Sequence, residues 1–287
     1  MMKVPDNKIS SVKTYFFESL DSFPLSEVRN HFDFLCFAWL GLSKSEMILN
    51  PNLEISESEL LKFLYGIKQL NKNRPVQYVA GKTWFYDLEI KVREGVLIPR
   101  PETEELVHWI VNDSKSPLAI LDVGTGSGCI PLAIKNKLRD SVVYGFDISQ
   151  QALDVARENA DLLDLDIQFT VFDILNWKSF PQENRFDVIV SNPPYIPVSD
   201  KKKMHKNVLD YEPDLALFVP NNDPLVFYKS IAEFAYLNLN PFGKLFLEIH
   251  ESYGSEIIEM LKYSGFSNIE LRKDLQGKNR MVKATLS

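Results

Sequence analysis

A chain of 287 residues with 45% hydrophobic and 25% charged content is too long for one ordinary domain and too apolar for large-scale disorder, so one domain of usual size plus a smaller one is expected. Its net charge of −7 argues against wide, sequence-independent contact with nucleic-acid phosphates and favours a protein or small-molecule substrate. No stretch approaches the roughly 20 apolar residues of a membrane span, the start Met1–Asn7 lacks the apolar stretch of a signal peptide, and Cys36 and Cys129 fit neither a disulfide framework nor a metal-ligand spacing, so a cytoplasmic protein with two small core thiols and no metal is expected.

From Ser10 to about Asn73 the pattern is helical, with Phe32, Phe34, Leu35, Phe37, Ala38 and Leu40 clustered and Leu60, Leu61, Phe63, Leu64 and Ile67 at helix-face spacing. Asn50-Pro51-Asn52 and Asn71 to Pro75 punctuate it as loops. A small helical bundle over 1–74 is expected. Between Val76 and Val96 the residues Val79, Trp84, Phe85, Leu88, Ile90 and Val92 are β-prone and broken by Gly81 and Gly95, which predicts a hairpin linker over 75–95.

From 96 to 287 strands and helices alternate. Leu118–Val123, Val142–Phe146, Ile167–Phe172, Phe186–Ser191 and Lys244–Ile249 read as strands, and Glu102–Asn112, Ile130–Leu138, Gln150–Leu162 and Leu225–Leu237 as helices. Such alternation predicts an α/β domain, a parallel sheet covered on both faces, with ligands at the carboxyl ends of its strands where strand order reverses.

The first of these strands runs into Gly124-Thr125-Gly126-Ser127-Gly128, directly before an apolar helix. Glycines there let the backbone turn sharply and approach a ligand; the competing reading is a plain strand-to-helix turn. Asp147, 19 residues after Gly128, ends the second strand where its carboxylate can accept from both hydroxyls of a ribose; alternatively it caps the helix near Gln150, a role open to Ser149 as well. Asp173 ends the third strand, within reach of an adenine amino group. A nicotinamide dehydrogenase shares this logic, but its glycines usually run G-x-G-x-x-G to admit a pyrophosphate, whereas here they stand at 124, 126 and 128. A ligand without phosphates fits better, and S-adenosylmethionine would point its methyl toward the end of the fourth strand.

That strand stops at Asn192-Pro193-Pro194-Tyr195. Two prolines each remove a ladder donor and fix φ, so Asn192 projects beyond the strand end. Its side-chain oxygen and the Pro193 carbonyl can accept the two protons of a planar NH2 group, and the Tyr195 ring can lie against that group's face. This suits transfer of an electrophilic carbon to a weakly nucleophilic nitrogen, where positioning outweighs a strong base. A turn with a buried aromatic is the bland reading.

These residues resemble the class I S-adenosylmethionine-dependent methyltransferases with an N-P-P-Y amino-group pocket, and among them the HemK/PrmC family of peptide-chain-release-factor glutamine methyltransferases. The likeness covers most of the chain and includes Arg74 to Tyr78, Leu97 to Glu104, Tyr211-Glu212-Pro213 and Asp274 to Arg280. It implies a seven-stranded Rossmann-like domain behind a helical N-terminal domain that, with the hairpin, grips the release factor. Carried over by position, it puts Gly124, Thr125, Gly126, Ser127, Gly128, Asp147, Asp173 and Ile174 on the cofactor, Asn192 on cofactor and substrate, and Pro193, Pro194 and Tyr195 around the glutamine amide of the factor's Gly-Gly-Gln loop. Ile174 stands where some relatives carry a tryptophan near the adenine, so an aliphatic contact replaces a stacking one. Arg100, Glu102 and Thr103 either close over the methionine end of the cofactor or form an ordinary acidic first helical turn after Pro101. The tetrad alone would also suit a nucleic-acid amino methyltransferase acting on adenine or guanine; the Ile98 to Glu104 stretch and the helical domain select the protein substrate. No direct nucleic-acid or membrane contact is expected, and a monomer is expected. His31, His108, His205 and His250 read as structural, Lys201 to Lys206 as solvated surface or a lid that meets the partner, and Glu248 as lining the site or facing solvent.

Overall fold

The computed structural model describes residues 6–180 and 185–286, so part of the reading of the first residues, Met1–Pro5, lies outside it. The chain forms two compact units, one holding the chain up to Thr83 together with His205–Tyr211, the other Trp84–Met204 and Glu212 onward.

The first unit contains α1 (Ile9–Ser19), α2 (Leu25–Leu40), α3 (Lys44–Leu49), α4 (Glu57–Leu70) and α5 (Val76–Ala80). Helices α3 and α4 both start with reciprocal capping boxes, Ser43 with Glu46 and Ser56 with Glu59, which satisfy backbone donors that no helical turn can reach. The apolar faces of α1, α2 and α4 meet in a cluster of rings: Phe16 and Phe32 lie 5.3 Å apart, Phe32 and Phe63 5.8 Å, and Trp39 and Phe63 5.1 Å. The hairpin is shorter than the β-prone composition of 76–96 predicts. Val76–Ala80 is helical between Pro75 and Gly81, because its helical turn buries Val76 and packs Val79 into the ring cluster's surroundings, and packing overrides β propensity. Only then come β1 (Lys82–Phe85) and β2 (Leu88–Lys91), joined through Tyr86 and Asp87, both at positive φ.

The second unit continues with α6 (Pro101–Asp113), β3 (Ala119–Val123), α7 (Cys129–Lys137), β4 (Val142–Asp147), α8 (Gln150–Leu163), β5 (Gln168–Val171), β6 (Phe186–Ser191) and a short pair, β7 (Ile196–Pro197) and β8 (Phe218–Val219). Two short helices lie between the members of that pair: α9 (Lys206–Tyr211), which belongs to the first unit and whose Tyr211 hydroxyl donates to the Lys72 carbonyl at 2.9 Å, and α10 (Asp214–Leu217). The chain ends with α11 (Val226–Asn238), β9 (Leu239–Glu248), α12 (Gly254–Tyr263), β10 (Phe266–Lys273) and β11 (Asn279–Leu286).

Seven strands form one sheet in the order β10-β11-β9-β6-β3-β4-β5; β9 through β5 run parallel, and β11 is antiparallel to both of its neighbours. Successive residues of β3 point to opposite faces, and Ile120, Leu121 and Val123 are all buried, so both faces are covered. Tyr228, Ile231 and Phe234 of α11 and Ile257 and Leu261 of α12 pack with Leu121, Ile189 and Leu245 in the main core. Succession along the chain moves from β3 outward to β5 and then jumps back to β6 on the other side of β3, which opens a crevice at the carboxyl ends of these strands.

Candidate active site

The glycine loop leaves β3 at Val123 and is tied down by its neighbour, since the Gly124 and Thr125 amides both donate to the Phe146 carbonyl at 2.8 and 2.9 Å. Its glycines serve different ends. A Cβ on Gly126, at φ +56°, would meet nothing within 4 Å and would point into open space, whereas one on Gly128 would press on the Ala156 Cβ at 3.1 Å. The first is a cradle for a ligand; the second lets α7 start close against α8. Asn159, buried on α8, donates to the Ser127 carbonyl at 3.0 Å and exchanges two bonds with the Lys91 backbone, so loop, helix and hairpin are clamped by one amide.

Asp147 accepts from the Gly126 amide through one oxygen and the Ser149 amide through the other, both at 2.8 Å, and retains further lone pairs. Ser149 caps α8, accepting from the Ala152 amide, so Asp147 is released from that task. Burial pushes the Asp147 carboxyl above its ordinary range, opposed by the amides of Ser149 and Gly126. Asp173 is not at a strand end: β5 closes at Val171, and the Asp173 side chain accepts from the Leu175 amide at 2.9 Å, starting a 3-10 turn. Ile174 is 9% exposed and faces the same cavity as Asp173 and Phe172.

Gly124 to Ser127, Asp147, Asp173, Ile174 and the N-P-P tripeptide wall one cavity of about 350 Å³, whereas Gly128, expected on the cofactor, is turned to the α7–α8 packing and does not line it. Beneath the loop Asp122 is buried, and neither its carboxylate oxygens nor the Thr125 and Ser127 hydroxyls have a hydrogen-bond partner among the described residues. The open glycine cradle and the carboxyls of Asp147 and Asp173 in the cavity wall disfavour a pyrophosphate and fit a ligand with donors and positive charge, as the ammonium, sulfonium and ribose hydroxyls of S-adenosylmethionine provide.

At the other end, Ser191 closes β6 by donating to the Val123 carbonyl at 2.6 Å, and Asn192, Pro193 and Pro194 enter the cavity wall. The Asn192 Nδ2 donates to Thr103 Oγ1 at 3.2 Å. Thr103 Oγ1 donates to Glu248 Oε2 at 2.6 Å, and the Tyr195 hydroxyl to Glu248 Oε1 at 3.2 Å. Tyr195 is directed differently from the expectation: its hydroxyl meets Glu248, its ring lies edge-on to His250 at 6.0 Å, and it lines a separate, more open depression of about 260 Å³ with His250, Lys203 and Arg280. Two consecutive prolines turn the chain between Asn192 and Tyr195, which accounts for the divergence.

Glu248 is the site residue that the sequence left ambiguous. Ser191 lies beside Leu247 in the β6–β9 register, so the next residue on each strand, Asn192 and Glu248, stand side by side. Glu248 is 1% exposed, and burial pushes its carboxyl upward against the Thr103 hydroxyl and the Arg280 charge. The stretches noted around α6 also converge. Arg100 donates to buried Glu212 at 2.7 Å, Gln276 reaches Glu102, and the Leu275 amide donates to Glu105, so Arg100 and Thr103 reach the cavity while Glu102 and Glu105 hold the Asp274–Arg280 loop. Lys201 and Lys203 are engaged in ion pairs with Asp214 and Asp200.

The sheet order, the glycine loop after β3, the acid at the end of β4 and the cavity at the switch point define a class I methyltransferase fold. The chain matches the family description "Methyltransferase domain" over residues 114–251 and "PrmC N-terminal domain" over residues 20–81. It is 42% identical over 281 residues to the release factor glutamine methyltransferase of Flavobacterium psychrophilum, covering 96% of this chain and 98% of that one, and 39% identical to that of Bacteroides thetaiotaomicron, covering 96% and 99%. The chain belongs to the family of release factor glutamine methyltransferases. A methyltransferase from Pyrococcus furiosus shares the fold, with a TM-score of 0.52 at 18% identity over 80% of this chain and 98% of that one. No helix among the described residues is long and apolar enough to cross a membrane.

Proposed function

We propose that the protein methylates the side-chain amide nitrogen of the glutamine in the Gly-Gly-Gln loop of class I peptide chain release factors, in the cytoplasm and with S-adenosylmethionine as donor. The observation that carries the reading is Asn192, held at the cavity wall with its Nδ2 committed to Thr103. When bound, S-adenosylmethionine supplies an electrophilic methyl carbon and is left as S-adenosylhomocysteine. Asp147 holds the ribose hydroxyls through its remaining lone pairs, the Gly124–Gly128 loop receives the methionine end, and Ile174 and Phe172 offer the adenine an apolar face beside Asp173. The Asn192 side-chain oxygen and the Pro193 carbonyl accept the two N–H groups of the substrate amide, stabilising positive charge that develops on nitrogen before its proton leaves. Pro194 walls the amide, and Tyr195 supports the site from behind through Glu248. The helical N-terminal unit and the hairpin recognise the factor.

The test is a labelling experiment with S-adenosylmethionine carrying a labelled methyl and three acceptors: an intact class I release factor, the same factor with its loop glutamine replaced by alanine, and bulk RNA. Label is expected in the intact factor alone. Label in RNA, or equal label in both forms of the factor, overturns the reading.

A further inference from the structure

An asparagine carboxamide has nearly the same shape after a half-turn, yet only one orientation serves the site. With its NH2 turned to the cavity, Asn192 would oppose a substrate NH2 with donors against donors; with its oxygen there, it accepts. Something outside the cavity must choose.

We propose that Glu248 and Thr103 are positioning residues that set this choice, passing the direction of their hydrogen bonds to Asn192. The inference rests on the proposed amide acceptor at Asn192. An ionised Glu248 offers only lone pairs, so both hydroxyls that reach it, Thr103 at 2.6 Å and Tyr195 at 3.2 Å, must donate. A threonine hydroxyl has one hydrogen, and Thr103 spends it on Glu248. What remains on Thr103 Oγ1 is acceptor capacity, and the group facing it at 3.2 Å must be a donor. That assigns the Asn192 NH2 to Thr103 and leaves the Asn192 oxygen for the cavity. Thr103 and Glu248 are each 1% exposed, so water does not compete for these bonds. The burial of a carboxyl at a strand end has the same explanation: an apolar side chain would leave Thr103 free to reverse, and a glutamine brings an NH2 of its own that can donate to Thr103. The bonds span three distant pieces of chain, the first turn of α6, the end of β6 and the end of β9, whose register places them together.

Two measurements test the inference independently of each other. In protein labelled with nitrogen-15 at asparagine, the Asn192 NH2 protons should exchange with solvent at least about tenfold more slowly than those of an exposed asparagine amide, and Thr103→Val should abolish that protection. Exchange at the exposed rate in the parent overturns the proposal, whether or not any variant folds. In steady-state labelling of a release factor, Thr103→Val should lower kcat by about 10- to 100-fold with the cofactor Kd, read by calorimetry, within about threefold, and Thr103→Ser, which restores the hydroxyl, should recover most of the loss. Added to Asn192→Ala, Thr103→Val should cost less than about a further twofold, because its effect passes through the amide already removed. A parental kcat in Thr103→Val, an equal loss in Thr103→Ser, or a full loss added to Asn192→Ala each overturns the proposal. A parent enzyme that labels no release factor while its Asn192 NH2 remains protected defeats the functional reading and leaves the positioning intact.

Discussion

At the Asp147 end of the cavity the contacts run between close neighbours in the fold: Gly124 and Thr125 bond to Phe146, Gly126 and Ser149 to Asp147, all on adjoining ends of β3 and β4. At the Asn192 end the contacts come from far along the chain, Thr103 on α6 and Glu248 at the end of β9, and they are made by side chains rather than backbone. The first end fixes a shape, a loop that stays open because glycines leave room. The second fixes a direction, which atom of one amide faces the ligand. Shape made by backbone survives side-chain changes nearby; direction made by a relay of hydroxyls fails when one member is lost.

Replacement of the two anchors should therefore have separable effects. Asn192→Ala removes the acceptor for the developing charge and is expected to lower kcat by about 100- to 1000-fold while the cofactor Kd stays within about threefold. A variant with the parental kcat would remove Asn192 from the chemistry. Asp147→Ala should weaken cofactor binding by about 10- to 100-fold by calorimetry, with a smaller loss of kcat at saturating cofactor. Unchanged affinity would take Asp147 off the ribose. Within the loop, Gly128→Ala combines φ +80° with a Cβ 3.1 Å from Ala156 and should destabilise the protein by about 1–3 kcal/mol in urea unfolding. Gly126→Ala meets no such neighbour, so beyond the φ strain the two share its deficit should appear in cofactor affinity. Equal losses of stability without any loss of affinity would contradict the division of labour between the two glycines.

The same contrast explains what the sequence disclosed. Glycines at 124, 126 and 128 and an acid closing the next strand are local signals, because each follows from a few adjacent residues and from the rule that ligands sit at strand ends. The five parallel strands were visible as short apolar runs, although β5 at the sheet edge is largely exposed, while β10 alternates and both β10 and β11 are broken by charged residues, so only the family likeness implied them. Asp173 was placed at a strand end although β5 closes two residues earlier, since an Asx-type bond to the Leu175 amide competes with extension of the strand. Glu248 offered only its place at a strand end, which left lining the site and facing solvent both open, and Asn159 offered nothing: the partners of Glu248 lie 53 and 145 residues away, and Asn159 reads the Lys91 backbone across 68. The direction of Tyr195 was equally hidden, because it depends on a carboxylate supplied by another strand.

A finer comparison sets Glu248 against Asp122, two buried carboxyls near the carboxyl ends of β9 and β3, the parallel strands on either side of β6. Among the described residues Glu248 has two hydroxyl donors, whereas neither oxygen of Asp122 is in a hydrogen bond. Burial pushes the Asp122 carboxyl from an ordinary 3.8 up to about 7, the nearby Thr125 hydroxyl opposing and the Asp147 charge adding. Between those values the folded protein holds a proton that the unfolded chain has released, so protonation stabilises the fold. That contribution is complete below about pH 4 and is lost as pH rises through about 7. Thermal unfolding of the protein without cofactor should accordingly shift to lower temperature between pH 5 and pH 8. Asp122→Asn, which carries no titrating proton, should flatten that slope and exceed the parent's melting temperature above pH 7. Asp147, raised in the same direction, leaves part of the slope in the variant. A variant whose slope matches the parent's would show that Asp122 is already ionised at pH 5, and that its surroundings beneath the glycine loop are polar enough to hold its charge.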